Sequence, residues 1–248
     1  MAIKTRKISD WLSANGQAIT NASAASMQAY LEQNLRPLQD GVYIGKIQAE
    51  TWGTYMRCDA WQTTSIGISK ADADAVVVQH GSTRIGIALT EPSAAMKWGS
   101  VQNASSVGYQ TSLDWSLLDG KTRTAAIMAS SYYKNDSPQT YAVAYCYNYS
   151  KSHTGDPGGD VSIPAKSWYL PATGELEIIH SHFDTINLAL QRIKNAGKQS
   201  ADLLQPAYYW SCVENSGIVV RDLSFSNGHR DSSGKVDASL RVRPVTAF

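Results

Sequence analysis

SWYLPATGEL, Ser167–Leu176, is the stretch on which the reading of the chain turns. After Pro171 and Ala172, Thr173 stands where a hydroxyl caps a helix, and Glu175 falls in the first turn, where its charge suits the helix dipole. Leu176, Ile179 and Phe183 then recur at i, i+3 and i+7, which predicts one apolar helix face. Ile186, Leu190 and Ile193 continue a second stripe, and Gly197 is placed to stop it.

Upstream the texture is different. From Gly41 the sequence breaks into short runs rich in β-branched residues and bounded by Gly, Asp or Pro. These are Val42–Ile44, Ser65–Ile68, Ala75–Val78 and Ile85–Leu89, and each reads as a strand. Gln79, His80 and Gly81 read as the turn of a hairpin between the last two. Ser100–Gly108 reads as loop, and Thr122–Ala129 and Thr140–Tyr147 as either short helices or strands. Downstream of Pro206, Tyr208–Val213, Val219–Phe225 and Leu240–Val245 are strand-like. In Leu223–Phe225 alternation sends Leu223 and Phe225 to one face and Asp222 and Ser224 to the other. His229–Ser239 lacks apolar periodicity and is expected to be an exposed loop. The fold class that follows is α+β.

Residues 1–40 form a separate appendage in this reading. Asn21–Asn34 is rich in helix formers, with Ala24, Met27 and Leu31 on one narrow face and Pro37 limiting its end. Such a helix packs on its own chain or serves attachment and homo-oligomerisation. Residues 41–248 are the main domain, and a chain of 248 residues is long enough to bury a sizeable core.

Composition excludes some functions. Lys plus Arg number 22 and Asp plus Glu 21, so no basic footprint for nucleic acid exists, and Lys4, Arg6 and Lys7 are too short a cluster to make one. No run reaches the roughly 20 apolar residues that span a bilayer, and the start lacks the apolar stretch of a secretory signal. The expected localisation is therefore cytoplasmic synthesis followed by carriage on a particle or other structure. Cys58, Cys146 and Cys212 are too few and too far apart for a disulfide framework or a zinc site, and are expected to be buried thiols.

The residues SWYLP at Ser167–Pro171 followed by Gly174-Glu175-Leu176 resemble the WYLP…GEL signature of a family with a C-type-lectin-like fold, common in gut Bacteroidetes and their phages. Asp119-Gly120-Lys121, Ala144-Tyr145-Cys146, Ile186–Leu190, Tyr209-Trp210-Ser211 and Arg241–Val245 match further, in order, over about Ala75–Phe248. Several members of that fold group are variable proteins of diversity-generating retroelements, whose C-terminal coding region is mutated at adenines. The resemblance implies a fixed frame of Trp210, Glu214, Phe225, Asn227, Gly228, Lys235 and Arg241–Val245. It implies variable, ligand-binding positions at Asn215, Ser216, Gly217, Ile218, Val219, Asp222, Ser224, His229, Arg230, Asp231, Ser232, Ser233, Gly234, Val236, Asp237, Ala238 and Leu240. From His229 onward, each residue between the frame positions is reachable from an Asn codon by adenine changes alone, whereas Lys235 is not.

The implied function is recognition of a protein or glycan on a cell surface by a phage or mobile-element product. A bacterial surface adhesin, or an undiversified structural module of the same fold, is the alternative. Val242 and Val245 are expected to anchor the last strand, and Arg241 and Arg243 to point away or to pair with an acid such as Glu214, structural pairing being favoured over ligand contact. Tyr208 and Tyr209 adjoin the variable positions. Ordinary interfaces use about 20–30 residues a side, so a smaller patch implies modest affinity and avidity from many copies.

No catalytic residue, metal site or cofactor is expected. His180 and His182, at i and i+2 on a helix, point apart, and His80 and His153 lie in presumed turns. Asp156–Asp160 reads as a plain turn rather than a calcium loop. Glu91-Pro92-Ser93 is the nearest string to a calcium-dependent sugar site, and Cys212 stands alone where formylglycine-generating enzymes carry paired cysteines.

Overall fold

The computed structural model describes residues 38–50, 53–62, 72–104, 114–153, 161–163, 165–197 and 200–247. The expected helix at Asn21–Asn34, the strand at Ser65–Ile68, the turn at Asp156–Asp160 and the Ser105–Gly108 part of the predicted loop lie outside them.

Strands β1 (Gly41–Glu50) and β2 (Gly53–Ala60) pair antiparallel, and β1 pairs on its other side with β3 (Ala75–His80). β3 forms a hairpin with β4 (Thr83–Ala88). Only Gly81 and Ser82 form the turn, so Gln79 and His80, expected in it, are paired strand residues. Gly81 takes φ +55°, which glycine adopts without strain. The Gln79 side chain, which donates to Gly81 O at 2.6 Å and accepts from Arg84 Nε at 2.9 Å, holds the end of the strand. β3 reads as a continuous apolar run because both its faces are buried. Val76 and Val78 meet Ile44 and Ile87 on one side, while Ala75 and Val77 meet Ile47, Cys58 and Trp168 on the other.

The chain's end completes this sheet. β11 (Val245–Ala247) inserts between β4 and β7 (Trp168–Tyr169), giving the order β2-β1-β3-β4-β11-β7. Val242 and Val245 are both buried, as expected of anchors, but the strand begins only at Val245. Leu240 and Arg241 make isolated bridges to Met96 and Tyr209.

Helices α1 (Gly120–Ala129) and α2 (Ala142–Asn148) settle the two ambiguous segments as helical. α3 (Thr173–Ser181) and α4 (Phe183–Asn195) carry the predicted stripes, with the backbone breaking at His182 (φ −112°, ψ 14°). Leu176, Ile179, Ile186, Leu190 and Ile193 pack on Val76 and Val78 in the main core. Gly197, at φ +76°, ends the run as expected.

The cap of α3 corrects the sequence reading. Ala172, extended at ψ 172°, is the N-cap, and Thr173 is the first helical residue. Glu175 is thereby the third helical residue, the position from which a carboxylate reaches back to the cap's own N–H. It accepts that bond at 2.7 Å and a second from Tyr169 Oη at 2.9 Å. Burial nevertheless lifts the Glu175 carboxyl from 4.5 to about 7. Between those two values the folded chain holds a proton that the unfolded chain has lost. Stability is therefore full below about pH 4.5 and falls as pH rises to about 7, by on the order of 3 kcal/mol from this group. Urea unfolding at about pH 4.5 and about pH 8 should show the parent losing that much more than Glu175→Gln; parallel losses would contradict it.

A second sheet, β10-β9-β8, lies beside the first. It comprises β8 (Tyr208–Glu214), β9 (Val219–Ser224) and β10 (Arg230–Gly234). β10 corrects the expectation of a loop over His229–Ser239, since Arg230–Gly234 pairs residue by residue with Leu223–Val219. Apolar alternation is missing because β10 is an edge strand whose side chains stay exposed or half-buried, and backbone pairing with β9 joins it to the sheet. Beneath β8 and β9 a second core gathers Trp98, Ile127, Tyr133, Val143, Trp210, Val213 and Val220. Short β5 (Lys151–His153) and β6 (Val161–Ile163) pair with each other.

All three cysteines are buried free thiols, and burial drives Cys146 and Cys212 well above the usual thiol range. No helix among the described residues is long and apolar enough to cross a membrane.

Candidate functional site

Of the frame positions, Trp210, Glu214, Phe225, Lys235 and residues 242–245 are buried, Gly228 and Arg241 are half-buried, and Asn227 is exposed. Lys235, fully buried immediately after β10, places its ammonium 2.6 Å from Glu214 Oε1 and 2.5 Å from Ala104 O. The Trp98 ring centroid is 5.1 Å away, on the side where Tyr133 also approaches. Burial pulls the ammonium below its ordinary value and the Glu214 carboxylate opposes that. The backbone joins in: Lys235 N–H donates to Ile218 O at 3.0 Å, and Trp98 N–H to Lys235 O at 3.0 Å. One residue thus ties the β10 end, the β8 end and the 98–104 loop together.

At the opposite end of the hairpin, Phe225 stacks on Tyr209 with centroids 4.4 Å apart. Gly228, at φ +72°, leaves room for the His180 ring, where an added Cβ would come within 3.0 Å. The arginines do form structural ion pairs, but their acid is Glu91 and not Glu214, which Lys235 occupies. Arg241 Nη1 lies 3.1 Å from Glu91 Oε1, and Arg243 Nη2 lies 3.2 Å from Glu91 Oε2. Tyr209 Oη donates to the same carboxylate at 3.1 Å. Glu91 of the Glu91-Pro92-Ser93 string therefore holds the Arg241–Arg243 segment that leads into β11.

The positions implied as variable distribute around this frame in three ways. Ile218, His229, Arg230, Asp231 and Asp237 are exposed. Asn215, Ser216, Gly217, Val219, Ser232, Ser233, Gly234 and Val236 are half-buried, as are Ala238 and Leu240, which lean on the second core. Asp222 and Ser224 are buried, so their expected outward face is covered. Asp222 lies opposite Asp231 on β10, and burial lifts its carboxyl to about 6. Pairing brings the two patches together, since the 215–218 turn lies against Gly234 and Lys235 while His229 and Arg230 stand at the far end of β10.

Alternation along β10 sends Arg230 and Ser232 to one face, where α3 and Trp115 lie. Arg230 Nε sits 2.6 Å from Glu177 Oε1, and its guanidinium carbon 5.3 Å from the Trp115 centroid. Arg221 approaches the same ring at 5.6 Å. Arg230, Glu177 and Trp115 border a cleft of about 490 Å³ lined also by His80, Asp114, Leu118 and Ile178. Sequence reading found Arg230 but missed Trp115, Glu177, Asp114 and His80, which stand far apart in the chain and carry no local motif.

His180 and His182 face apart, as expected, although His182 lies at the break after α3. His180 meets Phe225, and His182 meets His80 with centroids 5.8 Å apart. Among the described residues no three of His, Cys, Asp and Glu gather as metal ligands would.

No family model matches the chain, and no curated protein does. Its fold is similar to that of a fimbrial protein from Bacteroides ovatus, with a TM-score of 0.53 at 12% sequence identity. That match covers 85% of this chain and 49% of the fimbrial protein, so the chain spans about half of that neighbour's length.

Proposed function

We propose that this chain is a ligand-binding protein and not an enzyme. In this reading a C-type-lectin-like frame displays the β9–β10 surface, diversified as in the variable proteins of diversity-generating retroelements, to a protein or glycan on a cell surface. One observation carries the proposal. Arg230–Gly234 hold their place by backbone pairing, with one exposed side-chain ion pair at Arg230, while Lys235 and Glu214 pair with each other in the core, Arg243 is buried against Glu91, and Phe225 is buried against Tyr209. A recognition surface that tolerates substitution needs that separation. The likeness to a fimbrial protein favours a bacterial surface adhesin over a virus particle as the carrier. Display in many copies, or homo-oligomerisation, would supply avidity to a small patch.

The test is a display library randomised at Ile218, His229, Arg230, Asp231, Ser232, Ser233 and Asp237, sorted against intact cells of several bacterial types. Clones enriched on one cell type should fail on the others. Binding that ignores the randomised residues would refute the assignment of the surface.

A further inference from the structure

The Trp115–Glu177 corner of the cleft already holds a cation, and the chain itself supplies it. The Arg230 guanidinium sits over the Trp115 ring and ion-pairs with Glu177 at 2.6 Å. An aromatic face and a carboxylate converging on one point is the chemistry that binds alkylguanidinium and alkylammonium groups. Arg230 is a weakly held occupant: its side chain is 54% exposed and projects from an edge strand. Exposed pairs of this kind add little net stability, so the guanidinium can leave at small cost.

The receptor is fixed where its occupant is not. Trp115 packs against the main core, and the guanidinium carbon of buried Arg221 lies 5.6 Å from its ring centroid. Glu177 stands on α3 between Leu176 and Ile178, both buried. The adjoining cleft of about 490 Å³ offers Leu118 and Ile178 to an aliphatic stem. Asp114, at its rim, accepts from the Ser116 N–H at 2.8 Å and hydroxyl at 2.6 Å, bonds that favour its ionised form.

We propose that Trp115 and Glu177 form a subsite for a basic side chain of a protein partner, which Arg230 fills in the unbound chain and vacates on binding. The partner's identity as a protein rests on the reading of β10 as a recognition surface; the cation receptor does not. The residue at position 230 then decides whether the subsite is closed or open, so one substitution on the edge strand changes the ligand class that the cleft accepts.

Arg230→Ala, titrated with ethylguanidinium, tests the receptor. The readout is the indole N–H resonance of Trp115, assigned by its loss in Trp115→Phe. Saturable shifts are expected about threefold to fivefold tighter in Arg230→Ala than in the parent, and in that variant about tenfold tighter than with the neutral isostere N-ethylurea. Adding Glu177→Gln should remove the preference for the cation over N-ethylurea. Equal affinity in parent and variant, equal binding of N-ethylurea, or indifference to Glu177→Gln overturns the proposal. Arg230 and Glu177 are partly exposed, so unchanged thermal unfolding of both variants is expected and verifies the fold. A capped Gly-Arg-Gly peptide and agmatine separate the sources of the cation. The peptide should bind at least as well, whereas a preference of about tenfold or more for agmatine would overturn the assignment to a protein partner. Saturation by ethylguanidinium is independent of the cell-binding library, so the two readings fail separately.

Discussion

Lys235→Met is expected to destabilise the chain by about 3–5 kcal/mol, on the order of 10 °C in Tm, measured by denaturant and thermal unfolding. Methionine fills nearly the same volume, so the loss comes from electrostatics and not from a cavity. It removes the ammonium that lies 2.6 Å from Glu214 and 2.5 Å from Ala104 O, leaving a fully buried carboxylate without that counter-charge. The double variant Lys235→Met/Glu214→Leu separates this cause from simple repacking. A buried pair replaced as a unit by apolar residues is often neutral, so the second change should restore about half or more of the lost stability. Additive losses would show that the pair is not the origin of the effect.

Glu91→Ala is expected to cost about 3 kcal/mol by the same logic at the other end of the frame. One carboxylate there serves Arg241, Arg243 and the Tyr209 hydroxyl. Arg243 is 1% exposed and would keep its bonds to Ala88 O at 3.0 Å and Asp202 O at 2.8 Å, both neutral acceptors. Its charge would then be buried without its ion-pair partner, in the segment that leads into β11. Glu91→Gln, which keeps hydrogen-bond acceptance but not charge, should fall between parent and alanine variant in urea unfolding. An effect below about 1 kcal/mol would place this cluster with exposed pairs such as Arg230–Glu177.

These two clusters mark where sequence reading stopped. The α+β class, the α3 and α4 stripes, the β3–β4 hairpin and the stop at Gly197 were legible, because each depends on residues within a few positions of one another. Lys235 was marked by its place in the resemblance and by its codon, yet its burial was not, since no local pattern reveals a charged residue in a core. The partner of Arg241 and Arg243 lies some 150 residues upstream, at Glu91, and the nearer Glu214 was the natural but wrong expectation. β10 was hidden for a different reason: an edge strand with exposed side chains has no periodicity to read. The Thr173 hydroxyl suits a cap, whereas Glu175 reaching back to the Ala172 N–H decides where the helix starts. Of the proposed recognition surface, Arg230 and its neighbours are legible in the sequence, but Trp115 and Glu177 become neighbours only when β10 is laid beside α3.

The central claim is that the hairpin's outward residues are separable from the frame that holds them. Protease resistance of the library randomised at Ile218, His229, Arg230, Asp231, Ser232, Ser233 and Asp237 measures this directly, clone by clone, against a matched library randomised at Glu214, Lys235, Phe225 and Arg243. Most clones of the first library should resist protease within about 1 kcal/mol of the parent, and nearly all of the second should be cleaved. If the outward library is lost as readily as the frame library, the surface is part of the fold's support and the account is wrong.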